Sequence, residues 1–291
     1  MTGTQTVSVV IPAYNEEKTI GGLLHTLRQM EQVTEIVVVD DCSQDHTVEV
    51  VRSACPEARI IQHPYNMGNG AAVKSGIRAA SGDVIVLMDA DGQHPPSELP
   101  NLLQHIGPYD MVVGARAADT QATWGRRLAN AVFNLYATYI VGRRVLDLTS
   151  GFRAFKASIA RSFVYLLPNG YSYPTTLTIA FFRAGYAVKY QPFRAAQREA
   201  GSRSSIRPLV DGLRFLLTLT RLAVLFVPLK IFLPVSLFLT LSGGGYVISQ
   251  LACCRRFSGF GGLVTTIGIF IFMLGLISAQ IAMLRLVNSE R

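Results

Sequence analysis

Val84-Ile85-Val86-Leu87-Met88-Asp89-Ala90-Asp91-Gly92-Gln93 is the stretch on which the reading of this chain turns. Five apolar residues run without interruption into a pair of carboxylates, as expected of a strand buried on both faces whose end meets solvent. Acids two positions apart on an extended chain point the same way. At the mouth of a sheet they present hard oxygens suited to Mg²⁺ or Mn²⁺, ions that keep several waters and hold substrate phosphates. Acids that cap the next helix produce the same local pattern, so the surroundings decide.

Upstream, residues 7–11 form a short apolar strand, 12–16 a turn, and 16–30 a helix with Ile20, Leu23, Leu24 and Leu27 on one face. Residues 36–39 are a second apolar strand ending in Asp40 and Asp41, after which Ser43 or Asp45 can cap a helix through Val48 and Val51. A strand over 59–62, a Gly- and Asn-rich turn over 66–70 and a helix over 71–80 repeat the pattern. Near-continuous apolar strands alternating with helices predict a parallel sheet covered on both faces, with ligands beyond the carboxyl ends of the strands. Both acid-tipped strands end at that edge, which predicts a nucleotide site there. Further on come a strand over 111–113, a helix over 125–141, a loop over 147–153 before another helix, and a last strand over 188–192.

The composition is 49% hydrophobic and only 16% charged, and the apolar residues crowd the C-terminal end. Residues 231–251 and 262–284 contain no charged side chain, and each is long enough to cross a hydrocarbon layer of about 30 Å. Two membrane spans are predicted. The formal net charge is +8, with Arg194, Arg198, Arg203, Arg207, Arg214 and Arg221 gathered before the first span, the bias expected of a cytoplasmic flank. Arg255 and Arg256 between the spans pull the other way and are outnumbered. No nucleic-acid-reading module accompanies the basic charge, so nucleic acid is not an expected partner. The first residues lack a basic start followed by an apolar core, so the first domain is expected on the cytoplasmic side. Cys42, Cys55, Cys253 and Cys254 have no metal-binding spacing and read as buried or interfacial thiols. Arg207, Asp211, Arg214, Thr218 and Arg221 recur at helical steps among leucines, which fits a helix lying in the membrane interface; a core helix with one wet face has the same pattern.

Four ordered blocks carry a resemblance: Val-Ile-Pro12-Ala-Tyr14-Asn15-Glu16, Val39-Asp40-Asp41-x-Ser43-x-Asp45, Asp89-Ala90-Asp91-Gly-Gln93, and Asp147-Leu-Thr-Ser-Gly-Phe-Arg153. Over roughly residues 7–205 the chain resembles glycosyltransferase family 2, and within it the dolichol- or polyprenyl-phosphate sugar synthases. The resemblance implies an α/β, nucleotide-sugar-binding GT-A (Rossmann-like) domain over 1–205, an interfacial amphipathic segment over 206–230 and a two-helix transmembrane domain over 231–291. It implies a metal-dependent hexosyltransferase, on the cytoplasmic face of the cell membrane, that inverts the anomeric carbon while moving a sugar from a GDP- or UDP-linked donor to polyprenyl phosphate.

Carried over by position, Pro12, Tyr14 and Glu16 correspond to the loop holding the base and ribose of the donor, chemistry that suits a stiff turn, a flat ring and a hydroxyl acceptor. Asp41 and the backbone at Val39 match a second base contact, with Asp40 orienting the loop. Asp89, Ala90 and Asp91 match the donor and metal segment, and Asp89, Asp91 and Gln93 the ligands of Mg²⁺ or Mn²⁺. Arg116 matches an arginine near the donor diphosphate or acceptor phosphate. Arg126 and Asn130, assisted by Arg127, match residues that hold the acceptor phosphate, with Asn130 standing where the family has serine. Arg198 and Arg203 resemble a loop that closes over the donor, shorter here by about one residue. His94, before Pro95, reads as a loop residue and receives no role. A homo-tetramer occurs among such proteins, and Gly243-Gly244-Gly245 allows close helix approach.

Two other readings use the same fold. A processive polysaccharide synthase would carry a Gln-x-x-Arg-Trp segment, whereas the single tryptophan here is Trp124. A silent membrane scaffold would have no need of the intact acid pair. The identity of the sugar, the base and the lipid length is not legible in these residues.

Overall fold

β1 (Val7–Ala13) is buried along its whole length, longer than the expected strand because Pro12 lies within it, paired with Val39. It is flanked by β2 (Glu35–Asp40) and β4 (Val84–Leu87), both parallel to it, and β3 (Arg59–Gln62) runs parallel on the far side of β2. Val9, Val10, Ile11, Val38, Val39, Ile85 and Val86 expose no surface. Each such side chain contributes roughly 1.5–3 kcal/mol by leaving water, which is why the apolar runs become the sheet's centre. The structure, a computed structural model, is described for residues 5–116, 124–170, 172–194 and 208–289, excluding the side chains of 124–128, 208–214 and 285–289.

Helices connect these strands: α1 (Ile20–Arg28), α2 (Thr47–Ala54) and α3 (Asn69–Ala79). α1 buries Ile20, Leu23, Leu24 and Leu27, the stripe that the spacing predicts. It starts one turn later than expected, because Asn15 adopts a left-handed backbone (φ 56°) and Glu16 sits in the turn, its carbonyl accepting from the Thr19 and Ile20 N–H groups. Before α2, Asp45 accepts from the Thr47 N–H at 3.0 Å and the Thr47 hydroxyl at 2.5 Å.

Beyond β4 follow α4 (Leu99–Leu103), β5 (Met111–Arg116) and α5 (Trp124–Val141). A strand not expected from the sequence, β6 (Arg153–Lys156), inserts antiparallel between β4 and β5. α6 (Ala157–Phe163) and α7 (Tyr173–Arg183) lead to β7 (Val188–Phe193), parallel to β5. The sheet order is β3-β2-β1-β4-β6-β5-β7, so the sheet is mixed and the expectation of a parallel sheet is corrected. β6 reads as loop in sequence because Arg153 and Lys156 bracket its short apolar centre. Arg153 is nevertheless fully buried, its guanidinium donating to the carbonyls of Ser150 and of Pro174 (2.9 Å) and to Thr178 Oγ1 at 3.1 Å.

The chain divides into two compact units, Met1–Gly212 and Leu213–Arg291. The second contains most of α8 (Pro208–Phe226) and an antiparallel hairpin of α9 (Pro228–Cys254) and α10 (Gly259–Ser289). In α8 Leu219, Leu222, Ala223 and Phe226 are buried, whereas Arg221, Leu216 and Leu217 are exposed. α9 and α10 are long and apolar enough to cross a membrane, and only 11% and 17% of their most apolar stretches are buried. Phe238, Leu241, Ile248 and Phe270 are among the side chains they turn outward, unlike the core helices of a water-soluble fold. Gly243 is spent inside the hairpin, where an added Cβ would lie 2.7 Å from the Thr265 backbone nitrogen; Gly244 and Gly245 have nothing within 4 Å.

Candidate active site

The loops that follow β1 and β2 are laced together at the carboxyl edge of the sheet. Asn15 N–H donates to Ser43 Oγ at 2.9 Å, its side-chain oxygen accepts from Gln44 N–H at 2.7 Å, and Glu16 N–H donates to Thr47 Oγ1 at 2.8 Å. This braces the loop that carries Tyr14, which is 44% exposed. The Glu16 carboxylate accepts from the Thr19 hydroxyl at 3.0 Å. Pro12 and Val39 are buried beneath, and of the first block Tyr14, Asn15 and Glu16 reach the surface.

The two acids at the end of β2 are both engaged. Asp40 accepts from Ser43 N–H at 3.3 Å. Asp41, 3% exposed, accepts from His63 Nδ1 at 2.7 Å and from the backbone N–H groups of Met67 at 2.9 Å and Gly68 at 2.8 Å. Its own N–H donates to Ala13 O at 2.9 Å, which ties β2's end to β1's.

The other acid pair stands just past β4. Met88 N–H still donates to Val10 O at 3.1 Å, after which the chain curls, with Gly92 at φ 74°. Asp89 and Asp91 are therefore on a turn rather than on the extended strand. Asp91 accepts from Gln93 N–H at 3.1 Å, Ala90 is buried, and Gln93 is half-buried. Gly151 packs directly on the Asp89 carboxylate: a Cβ there would fall on its oxygens and 3.0 Å from its Cγ.

His94 is buried, stacked on Phe152 (centroids 5.3 Å apart) and edge-on to Phe193 (5.9 Å). Burial pushes its pKa down to about 4, against the pull of Asp91, so the imidazole is neutral at pH 7. Its Nδ1 accepts from Asp89 N–H at 3.2 Å, and at 3.9 Å from Asp89 Oδ2 it forms no ion pair. His94 thus anchors the backbone at Asp89, a contact that sequence reading missed; the aromatic cage that buries it comes from β6 and β7 regions far away in the chain.

Arg116 closes the same corner from the end of β5. It donates through Nε to Asp147 Oδ2 at 2.9 Å, and through Nη2 to Asp147 Oδ1 at 3.0 Å and Thr149 Oγ1 at 2.6 Å. Burial alone would lower its pKa; the hydrogen bonds and charge of Asp147, with the charges of Asp89 and Asp91, outweigh burial and raise it. Asp147 in turn accepts from the Thr149 and Ser150 N–H groups at 3.1 Å, shaping the loop that delivers Gly151 to Asp89. Asn134 of α5 clamps that loop from the other side, accepting from Leu148 N–H at 3.1 Å and donating to Leu146 O at 2.7 Å.

No group of three or more His, Cys, Asp or Glu gathers among the described residues. Two partly exposed carboxylates beside a glycine, with an amide following, fit a divalent ion of the kind that takes its remaining oxygens from water and substrate phosphate. Asn130 lies half-buried on α5, whose backbone also carries Arg126 and Arg127; the side chains of these two arginines, and Arg198 and Arg203 altogether, lie outside the described residues.

Comparison with known proteins adds family context to this geometry. The family described as Glycosyl transferase family 2 matches residues 8–165, and the GtrB C-terminal hairpin matches residues 227–284. An undecaprenyl-phosphate 4-deoxy-4-formamido-L-arabinose transferase of Photorhabdus laumondii is 31% identical over 273 residues, 91% of this chain and 81% of the relative. An undecaprenyl-phosphate mannosyltransferase of Micrococcus luteus is 30% identical over 207 residues, 67% of this chain and 85% of the relative. Among solved structures, glucosyl-3-phosphoglycerate synthase of Mycobacterium tuberculosis, in complex with Mn²⁺, uridine diphosphate and phosphoglyceric acid, aligns with a TM-score of 0.60 at 26% identity, covering 75% of this chain and 78% of that one.

Proposed function

The chain belongs to glycosyltransferase family 2, and we propose that it transfers a sugar from a uridine-diphosphate-type donor to the phosphate of a polyprenyl lipid, with inversion, at the cytoplasmic face of a bacterial cell membrane. The observation that carries this reading is that likeness to undecaprenyl-phosphate sugar transferases runs through the sheet domain and the apolar hairpin alike. A nucleotide-sugar domain joined to a membrane hairpin suits an acceptor whose phosphate lies at the bilayer surface and whose tail lies within it.

In this reading Tyr14, Glu16 and Asp41 hold the base and ribose, on the backbone set by Pro12 and Val39. Asp89, Asp91 and Gln93 hold Mg²⁺ or Mn²⁺ against the diphosphate, with Ala90 lining the turn. When bound, such an ion neutralises the leaving diphosphate as its charge develops. Without it the repulsion is severe, since a single like pair 4 Å apart costs about 4 kcal/mol at an effective dielectric near 20. Arg126, Arg127 and Asn130 receive the acceptor phosphate, and Arg198 and Arg203 close over the donor. Arg116 acts by positioning the loop 147–153. A phosphate acceptor is anionic near neutral pH and attacks without losing a proton to a side chain, so the residues work by aligning two anions rather than by general-base catalysis.

The three parts of the molecule are then a catalytic domain over 1–205, an interfacial segment over 206–230 and a membrane hairpin over 231–291. A homo-tetramer joined through the outward faces of that hairpin belongs to the same proposal, and crosslinking in membranes that returns only monomer rejects it. The transfer itself is tested by incubating membranes with radiolabelled nucleotide sugars and polyprenyl phosphate, with and without EDTA. The expected product is a labelled, organic-extractable lipid that EDTA and D91A abolish. A high-polymer product would instead mark a processive synthase, and D91A with wild-type turnover would remove the metal assignment.

A further inference from the structure

A buried polar chain stands behind the donor side of the site. His63, 9% exposed, has Nδ1 2.7 Å from Asp41 Oδ1 and Nε2 2.9 Å from Ser75 Oγ. Its backbone N–H donates to Asp40 O at 2.9 Å, which fixes the ring against the end of β2. Asp41 Oδ1 also accepts from the Met67 N–H, so Nδ1 is the donor to it, while Nε2 pairs with the Ser75 hydroxyl. The Ser-His-Asp order is not that of a hydrolase. Ser75 lies within α3, where the backbone N–H groups are used by the helix and none stands free to hold an oxyanion.

What the chain does instead is consume acceptor capacity. An ionised carboxylate offers about four lone-pair sites. Among the described residues Asp41 receives three donors, from His63 and Met67 on Oδ1 and from Gly68 on Oδ2. One site on Oδ2 is left. A uracil presents a single ring N–H between two carbonyl oxygens, whereas a guanine presents two adjacent donors that call for both oxygens of a carboxylate at once. We propose that His63, oriented by Ser75, is a positioning residue that makes Asp41 a one-site acceptor and so favours a uracil over a guanine nucleotide. This deepens the reading of Asp41 as a base contact and rests on it.

The test is titration of the full-length protein in detergent with UDP and with GDP, each in the presence of Mn²⁺, followed by calorimetry. H63L removes the donor to Asp41 and is expected to weaken UDP roughly tenfold, the size of one hydrogen bond to a charged group, and to narrow the preference for UDP over GDP. The KM for polyprenyl phosphate stays where it was. H63N sets an amide N–H near the Nδ1 position and recovers most of the affinity. H63Q extends its amide toward Ser75 instead, so it behaves like H63L and serves where H63L fails to fold. A purely structural role would not separate Asn from Gln in this way. If D41A loses UDP while H63L and H63Q bind both nucleotides as the wild type does, the role given to His63 is overturned and the base contact stands. If D41A itself binds UDP normally, the base contact is wrong and the role of His63 falls with it.

Discussion

Arg116 and Asp147 meet edge to edge, Nε to Oδ2 at 2.9 Å and Nη2 to Oδ1 at 3.0 Å, and this fork joins the end of β5 to the loop that lays Gly151 on Asp89. Both side chains are largely buried, with 26% and 7% of their surface exposed. Breaking a buried pair by removing one partner leaves an uncompensated charge, which costs about 3–5 kcal/mol. R116A and D147A are each expected to lower the unfolding midpoint strongly, and the double variant to lose clearly less than the sum. R116K, a single-point donor, does not restore the fork. Thermal unfolding of the four proteins in detergent measures the coupling, and strictly additive losses would show that the pair does not hold the loop.

The same pair sets an acid limb of stability. Burial works against the charged form of Asp147, but the hydrogen bonds and charge of Arg116, with backbone N–H donors, prevail and lower its pKa. For a carboxylate lowered on folding, the stabilisation is complete above the unfolded value of about 3.9 and is lost as pH falls through the lower folded value. D147N lacks this titration. Its deficit in stability relative to the wild type is therefore expected to be full at pH 6 and to shrink below about pH 4. Denaturation midpoints across that range check the sign; a deficit that grew on acidification would contradict it.

Gly151 leaves no room beside Asp89. G151A would drive a methyl group into the carboxylate, and overpacking of this kind costs roughly 1–3 kcal/mol, or displaces the acid. The expected result is a protein that still folds but binds Mn²⁺ at least tenfold more weakly, as read by Mn²⁺ titration with electron paramagnetic resonance. Unchanged Mn²⁺ affinity would separate Asp89 from the ion.

Much of this architecture is legible in sequence where one local rule suffices. The strands around Val9, Val38 and Val86 announce themselves by unbroken apolar runs, α1 by its spacing, and the acid-tipped edge by Asp40, Asp41, Asp89 and Asp91. What is hidden depends on partners distant in the chain. β6 is invisible because Arg153 looks solvent-bound until the carbonyls of Ser150 and Pro174 satisfy its guanidinium. His94 looks like a loop residue until Phe152 and Phe193 enclose it. Pro12 looks like a turn, yet its missing N–H is tolerated inside β1. The engagement of Asp41 by His63 spans a gap that neither composition nor periodicity encodes.

Within the hairpin, small residues are placed where the two helices touch. An added Cβ at Gly268 would lie 2.7 Å from the Thr240 backbone nitrogen and 3.0 Å from the Ser236 carbonyl oxygen, while Gly244 has open space around it. Backbone atoms cannot step aside as a flexible side chain can. In hydrocarbon, helix association rests on such close approach, because lipid tails compete for apolar contact. G268L is therefore expected to spread α9 from α10, whereas G244L, of the same bulk and apolarity, leaves the pair intact. Disulfide crosslinking of a reporter cysteine pair across the hairpin, scored in membranes, distinguishes the two. Equal crosslinking in both variants would mean that the packing seen between α9 and α10 does not persist in the bilayer.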